Sequence, residues 1–176
     1  MNHHLLAASL CGAVLSVAAP AAAQDQLVFG TGNNENQAII TRVLGPWIEQ
    51  INADDPAALQ IEMRHGTMLV NHGNFFDRLQ DDVVQIVWGI TAFDPGRFPR
   101  SLVATLPFMI ESSEQGAVAA CLMHERGHFD AEMADIVPLA FVQFPQASLH
   151  LNGHPAVTMD DMAGMKIMTG SPVVAG

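Results

Sequence analysis

Pro95-Gly96-Arg97-Phe98-Pro99, followed by Leu102-Val103-Ala104-Thr105-Leu106-Pro107-Phe108-Met109, divides the chain into two unlike parts. Three prolines fall within thirteen positions. Each fixes its own φ, removes a backbone donor and biases the preceding residue towards extended conformations. A long helix or a central strand is therefore excluded here. Yet Phe98, Leu102, Val103, Leu106 and Phe108 are too apolar for a solvated loop. The stretch reads as a stiff, half-buried connector whose aromatic residues pin it to a neighbouring element. Strand-like and helix-like segments flank it, so it splits one α/β lobe.

Upstream, Leu27-Val28-Phe29 reads as a first strand that ends at Gly30 and Gly32, before a polar loop to Asn36. From Ala38 to Ile51 the apolar residues recur with helical spacing, and Pro46 predicts a kink near Gly45. Leu59 to Met63 alternates as a half-buried strand. Asn71 to Asp82 is expected to be a helix bearing Phe75, Phe76 and Leu79 on one side. Val83 to Trp88 is apolar on both faces, as a buried parallel strand is. This β-α-β-α-β order argues for an α/β fold with a parallel sheet covered by helices.

Downstream, Ser112 and Gln115 make a capping-box start to a helix that runs to about Arg126, with Gly127 as its C′ residue. Val137 to Phe144 reads as a further strand and His150 to Pro155 as a turn-like crossing. Thr158 to Met162 reads as a helical turn ended by Gly164, and Met165 to Met168 as a last short strand.

Length allows one domain, or part of a larger one: the chain has 176 residues. The net charge of −11 argues against nucleic acid or an anionic membrane surface as partner. Residues 1–23 carry no Asp, Glu, Lys or Arg, and Leu5 to Ala19 is apolar. Ala21-Ala22-Ala23 before Gln24 supplies a small-residue cleavage site, so 1–23 reads as a signal peptide and the protein as exported. An uncleaved anchor is the alternative; Pro20 and the Ala-rich end oppose it. Loss of Cys11 leaves Cys121 alone, so no internal disulfide is expected, and Cys121 reads as a small buried hydrophobe.

His124-Glu125-Arg126-Gly127-His128 has the letters of a zinc-hydrolase helix, in which His124 and His128 would hold metal and Glu125 act as base. Gly127 opposes this, because the helix should end there and swing His128 off the shared face. A third ligand at a known spacing is also missing. Met159, Met162, Met165 and Met168 recur every third residue, but Gly164 interrupts them, and apolar packing is the better reading than a copper site. No phosphate loop, nucleophile elbow or Cys-His pair occurs. The loop after the first strand is the better ligand candidate, because strand ends in a parallel sheet face a crevice. That geometry nominates Asn33, Asn34, Trp88 and Thr91, with His150 on the crossing segment.

Trp88-Gly89-Ile90, Pro95-Gly96-Arg97-Phe98-Pro99 and Leu106-Pro107-Phe108 resemble the solute-binding proteins of tripartite ATP-independent periplasmic (TRAP) transporters, the DctP family. Asn74-Phe75-Phe76-Asp77-Arg78 and Pro155 to Met168 extend the resemblance in order from about Leu27 to Gly170. It implies a type II-like periplasmic binding protein fold with a parallel or mixed sheet. It further implies a small organic solute as ligand, membrane permease subunits as partners, a periplasmic location, no cofactor and no enzymatic activity. The family's carboxylate-gripping arginine would fall where this chain has Met168, which cannot make a bidentate pair. The resemblance places a first lobe up to about residue 148 and a crossing with the start of a second lobe in 149–176. Without the rest of that lobe, apolar edges should be exposed, and residues 24–176 should self-associate and bind solute only weakly.

Overall fold

Residues 25–106, 108–145, 148–153 and 155–168 are described by a computed structural model, so the signal-peptide reading and Cys11 lie outside the described residues. Strand β1 (Asp25–Thr31) lies at the centre of a three-stranded sheet. It pairs in parallel with β2 (Leu59–Arg64) on one side and β3 (Ile86–Trp88) on the other. Leu27 sits beside Ile61, and Phe29 lies between Met63 and Ile86. The expected parallel sheet with flanking helices is therefore present, in the order β2-β1-β3.

Parallel neighbours need a crossover, and the first is the helical stretch from Ile40 to Asp54. It opens as a π-helical turn, Ile40–Leu44, and continues as α1 (Gly45–Asp54). Pro46 falls in the first turn of α1, where its missing N–H matters least. The expected kink takes the form of this wider turn. Ile40, Leu44 and Ile48 face the sheet and bury with Phe29 and Ile61. The Asn52 carboxamide fastens α1 to β2, accepting from the Ile61 N–H and donating to the Ile61 carbonyl.

The opposite face is covered by α2 (Phe75–Gln80) and by residues beyond the connector, Phe129 and Met133 among them. The helix is shorter than the sequence suggests. Asn71 and Asn74 commit their side chains to local turns, accepting from the Gly73 and Asn71 N–H groups, which keeps 71–74 out of the helix. Val84 is fully buried, but ladder pairing begins only at Ile86, so β3 is also shorter than expected.

Phe98 pins the connector as anticipated: it is 1% exposed, with its ring against those of Phe75 and Phe76. Glu132, buried, is a second anchor: its carboxylate accepts from the backbone N–H groups of Arg100 and Ser101 and from the Ser101 hydroxyl. Arg100 in turn donates to the His128 carbonyl. Phe108 departs from the reading. It is 99% exposed at a positive φ of 64°, with Leu106 and Met109 exposed beside it.

Helix α3 (Ser113–Glu125) starts with the Ser112 hydroxyl accepting from the Gln115 N–H. Gln115 closes the box on the Glu111 N–H, one residue earlier than in the usual motif. Gly127 ends the helix at φ 77°. Cys121 is exposed on α3, contrary to the expectation of a buried hydrophobe.

Val137 to Phe144 is extended but belongs to no sheet, which corrects the strand reading. A ladder needs a neighbour, and the segment makes no backbone–backbone hydrogen bond among the described residues. Side chains hold it instead, Phe141 against Phe129, Phe144 edge-on to Trp88 and Gln143 over Gly116. Between this segment and the free edge of β3 lies a largely apolar groove of ≈ 2130 Å³. Met165 to Met168 likewise forms no strand, and Met159, Met165 and Met168 are exposed rather than packed.

This packing has two measurable outcomes. Glu132→Ala strips two backbone donors and a hydroxyl of their charged acceptor, and should lower the unfolding free energy by about 2–3 kcal/mol. Urea denaturation tests this, and a loss below about 0.5 kcal/mol would refute the anchoring role. The open groove and the β3 edge, unpaired among the described residues, should make residues 24–176 self-associate in sedimentation experiments. A monodisperse monomer with cooperative unfolding would contradict that.

Candidate functional site

Parallel strands release their following loops at one edge of the sheet, so segments 32–38, 65–74 and 89–94 meet there. Each is tied to the next. Thr31, fully buried at the end of β1, donates from its hydroxyl to Asn33 Oδ1 (3.0 Å) and accepts from the Asn33 N–H (3.1 Å). Asn33 Nδ2 donates to Gln37 Oε1, and Asn34 Oδ1 accepts from the Asn36 N–H. These bonds set the first loop before any ligand arrives.

The Asn33 carbonyl then accepts from the Gly66 N–H at 3.0 Å, which joins the first loop to the second. Gly32 permits a close approach there: a Cβ on it would lie 3.2 Å from Asn71 Cα and from the Val70 carbonyl oxygen. The second loop meets the third through His72 and Phe93, whose rings stack at 4.7 Å and 18°. Gly89 is fixed by packing, since a Cβ would fall 2.1 Å from the Phe75 ring.

Of the residues nominated from sequence, Asn33, Asn34, Trp88 and Thr91 come together at this edge. Asn33 and Asn34 shape the first loop, and Trp88 and Thr91 line the apolar groove. The Trp88 Nε1 atom is buried without a hydrogen-bond partner among the described residues. His150 is exposed, and Met168 is 95% exposed. Neither lines the groove, and no described contact joins either to the strand ends.

Sequence reasoning missed His65, Asn71, His72 and Phe93. The signal was available in the rule that nominated the first loop, because the loops after β2 and β3 leave from the same edge. Burial pushes the His72 imidazole below the ordinary histidine range.

The zinc motif is taken apart by the helix end. His124 lies in the last turn of α3, with its ring 5.4 Å from Phe141 and Nδ1 buried without a partner. His128 follows Gly127 and is exposed, its N–H donating to the Met123 carbonyl. Among the described residues, no group of three or more His, Cys, Asp or Glu is placed to hold a metal ion.

Residues 29–175 match the family of bacterial extracellular solute-binding proteins, family 7, DctP. Among solved structures, the chain is similar to a marine metagenome TRAP solute-binding protein specific for aromatic acids, in complex with 3-hydroxybenzoate. Identity there is 28% and the TM-score 0.58, over 69% of this chain and 38% of that one. The TRAP periplasmic solute-binding protein from Desulfovibrio salexigens shares the fold at 19% identity and a TM-score of 0.57, over 64% of this chain and 34% of that one. The one from Bordetella bronchiseptica, with bound mandelate, does so at 22% and 0.53, over 61% and 35%. These alignments thus span little more than a third of the matched chains. No curated protein matches.

The loop geometry makes two expectations testable. Thr31→Val removes both brace bonds and should cost about 1–2 kcal/mol, read as a lower urea midpoint with unchanged slope. An unchanged midpoint would contradict the brace. Since burial favours neutral His72, its stabilising contribution should be full above the ordinary histidine range and be lost as pH falls below it. His72→Phe should flatten that part of the pH–stability curve; an unaltered curve would count against it.

Proposed function

Because the chain belongs to the DctP family of bacterial extracellular solute-binding proteins, we propose that it captures a small organic acid at the carboxyl ends of its strands for uptake into the cell. The observation that carries this reading is the convergence of three braced loops at one edge of a parallel sheet, the usual ligand position in such folds. The aromatic subclass is supported by the 28% identical structure, whose ligand is 3-hydroxybenzoate. An apolar wall interrupted by a few polar groups, Thr91 among them, suits a flat ring carrying a carboxylate.

In this account the protein acts in the periplasm, after export by its N-terminal segment, and hands its solute to membrane permease subunits. No covalent step is involved, and the protein is not an enzyme; closure of two lobes about the solute is the mechanism. Asn33, Asn34, Trp88 and Thr91 are the contacts proposed from the first lobe. His150 and Met168 would reach the solute from the crossing and the second lobe.

A thermal-shift screen tests the reading. At 100 times its dissociation constant, a solute bound only by the folded state stabilises it by about 2.7 kcal/mol. 3-Hydroxybenzoate, benzoate and mandelate should raise the melting temperature more than sugars or amino acids do. A shift with zinc and none with any organic acid would overturn the proposal in favour of the hydrolase reading.

A further inference from the structure

A carboxylate at the strand ends needs a positive or hydrogen-bonding partner, and the chain has only seven Lys and Arg residues. Arg64 is the one at the end of a strand, and it is paired with Glu62 at 2.9 Å. Arg97 lies over the Phe76 ring beside Asp94, and Arg100 is bound to the His128 carbonyl. The remaining four sit on the first helical stretch, on α2, at the end of α3 and in the 165–168 segment.

His72 is different. Its ring is held in the loop convergence by stacking on Phe93, and neither ring nitrogen has a hydrogen-bond partner among the described residues. We propose that His72 is the residue that pairs with the solute carboxylate, taking up a proton from solvent as the anion binds. This rests on the reading of the solute as an organic acid. No covalent bond forms or breaks between protein and solute; the imidazole gains one proton and one charge, offsetting the anion.

The local charges allow this. Phe93, which packs on the ring, is uncharged, and Asp94 beyond it faces Arg97. On the second loop His65 is exposed, and Glu35 on the first loop and Asp77 on α2 are exposed. Burial holds free His72 neutral at neutral pH, and a bound carboxylate reverses that preference by favouring the charged form. Affinity should therefore rise as the pH falls.

The test tracks the imidazole signals of the full chain by NMR between about pH 5 and 8, with and without saturating 3-hydroxybenzoate. His72→Gln and His65→Gln assign the two loop histidines. The acid should raise the His72 pKa by roughly one unit, equivalent to about tenfold tighter binding at low pH. Neutral 3-hydroxybenzamide should not raise it. His72→Gln should abolish the pH dependence of affinity, and His128→Gln should keep it. If the acid perturbs the strand-end loops but leaves the His72 pKa unchanged, or shifts His65 instead, this role is overturned while the solute reading stands. If the acid perturbs no strand-end residue at any pH, the solute reading falls and the proposal falls with it.

Discussion

Parallel pairing of β1 on both edges is the constraint on which the rest depends. With Phe29 between Met63 and Ile86, all three strands point the same way, so their following loops must emerge at one edge. The helices between the strands are a consequence, since a parallel return requires a crossover. So is the site. Thr31 ends the central strand and is fully buried, which lets its hydroxyl hold Asn33 in place from beneath. Small residues complete the arrangement, as Gly32 admits the backbone of Asn71 and Gly89 admits the Phe75 ring.

A second, weaker system carries the chain from β3 to α3. Phe98 packs against both Phe75 and Phe76, and Glu132 caps the turn that begins at Ser101. Beyond these two anchors the packing thins. Phe108 protrudes into solvent, and the 137–144 segment is held by side chains rather than by a ladder. These features border one groove beside the free edge of β3. The half of the protein that carries the strand-end loops is thus well packed, and the half after the connector is open along one side.

The legible parts of the sequence were those set by local pattern. The strand at Leu27, the amphipathic run to Ile51, the Ser112 cap and the Gly127 stop all follow from spacing and from residues that satisfy or end a helix. Pairing partners were less legible, because apolar periodicity states that a segment wants a neighbour and not whether it has one. Val137 to Phe144 has strand chemistry without a partner among the described residues. The Met159 to Met168 series had the composition of a packed surface, yet Met159, Met165 and Met168 are exposed. At the candidate site, the loop after β1 was found from its glycines and asparagines. His72 and Phe93 were missed, since their stacking joins residues twenty-one positions apart across two loops.

The central claim is that these three loops form one solute-binding edge, and hydrogen–deuterium exchange with an aromatic acid tests it most directly. Backbone amides in 32–37, 65–73 and 89–94 should slow together when 3-hydroxybenzoate is added, since one ligand orders all three. Amides of α3 and of the 137–144 segment should change less. Protection confined to α3 and the 137–144 segment, with the three loops unaltered, would contradict the account and move the ligand away from the strand ends.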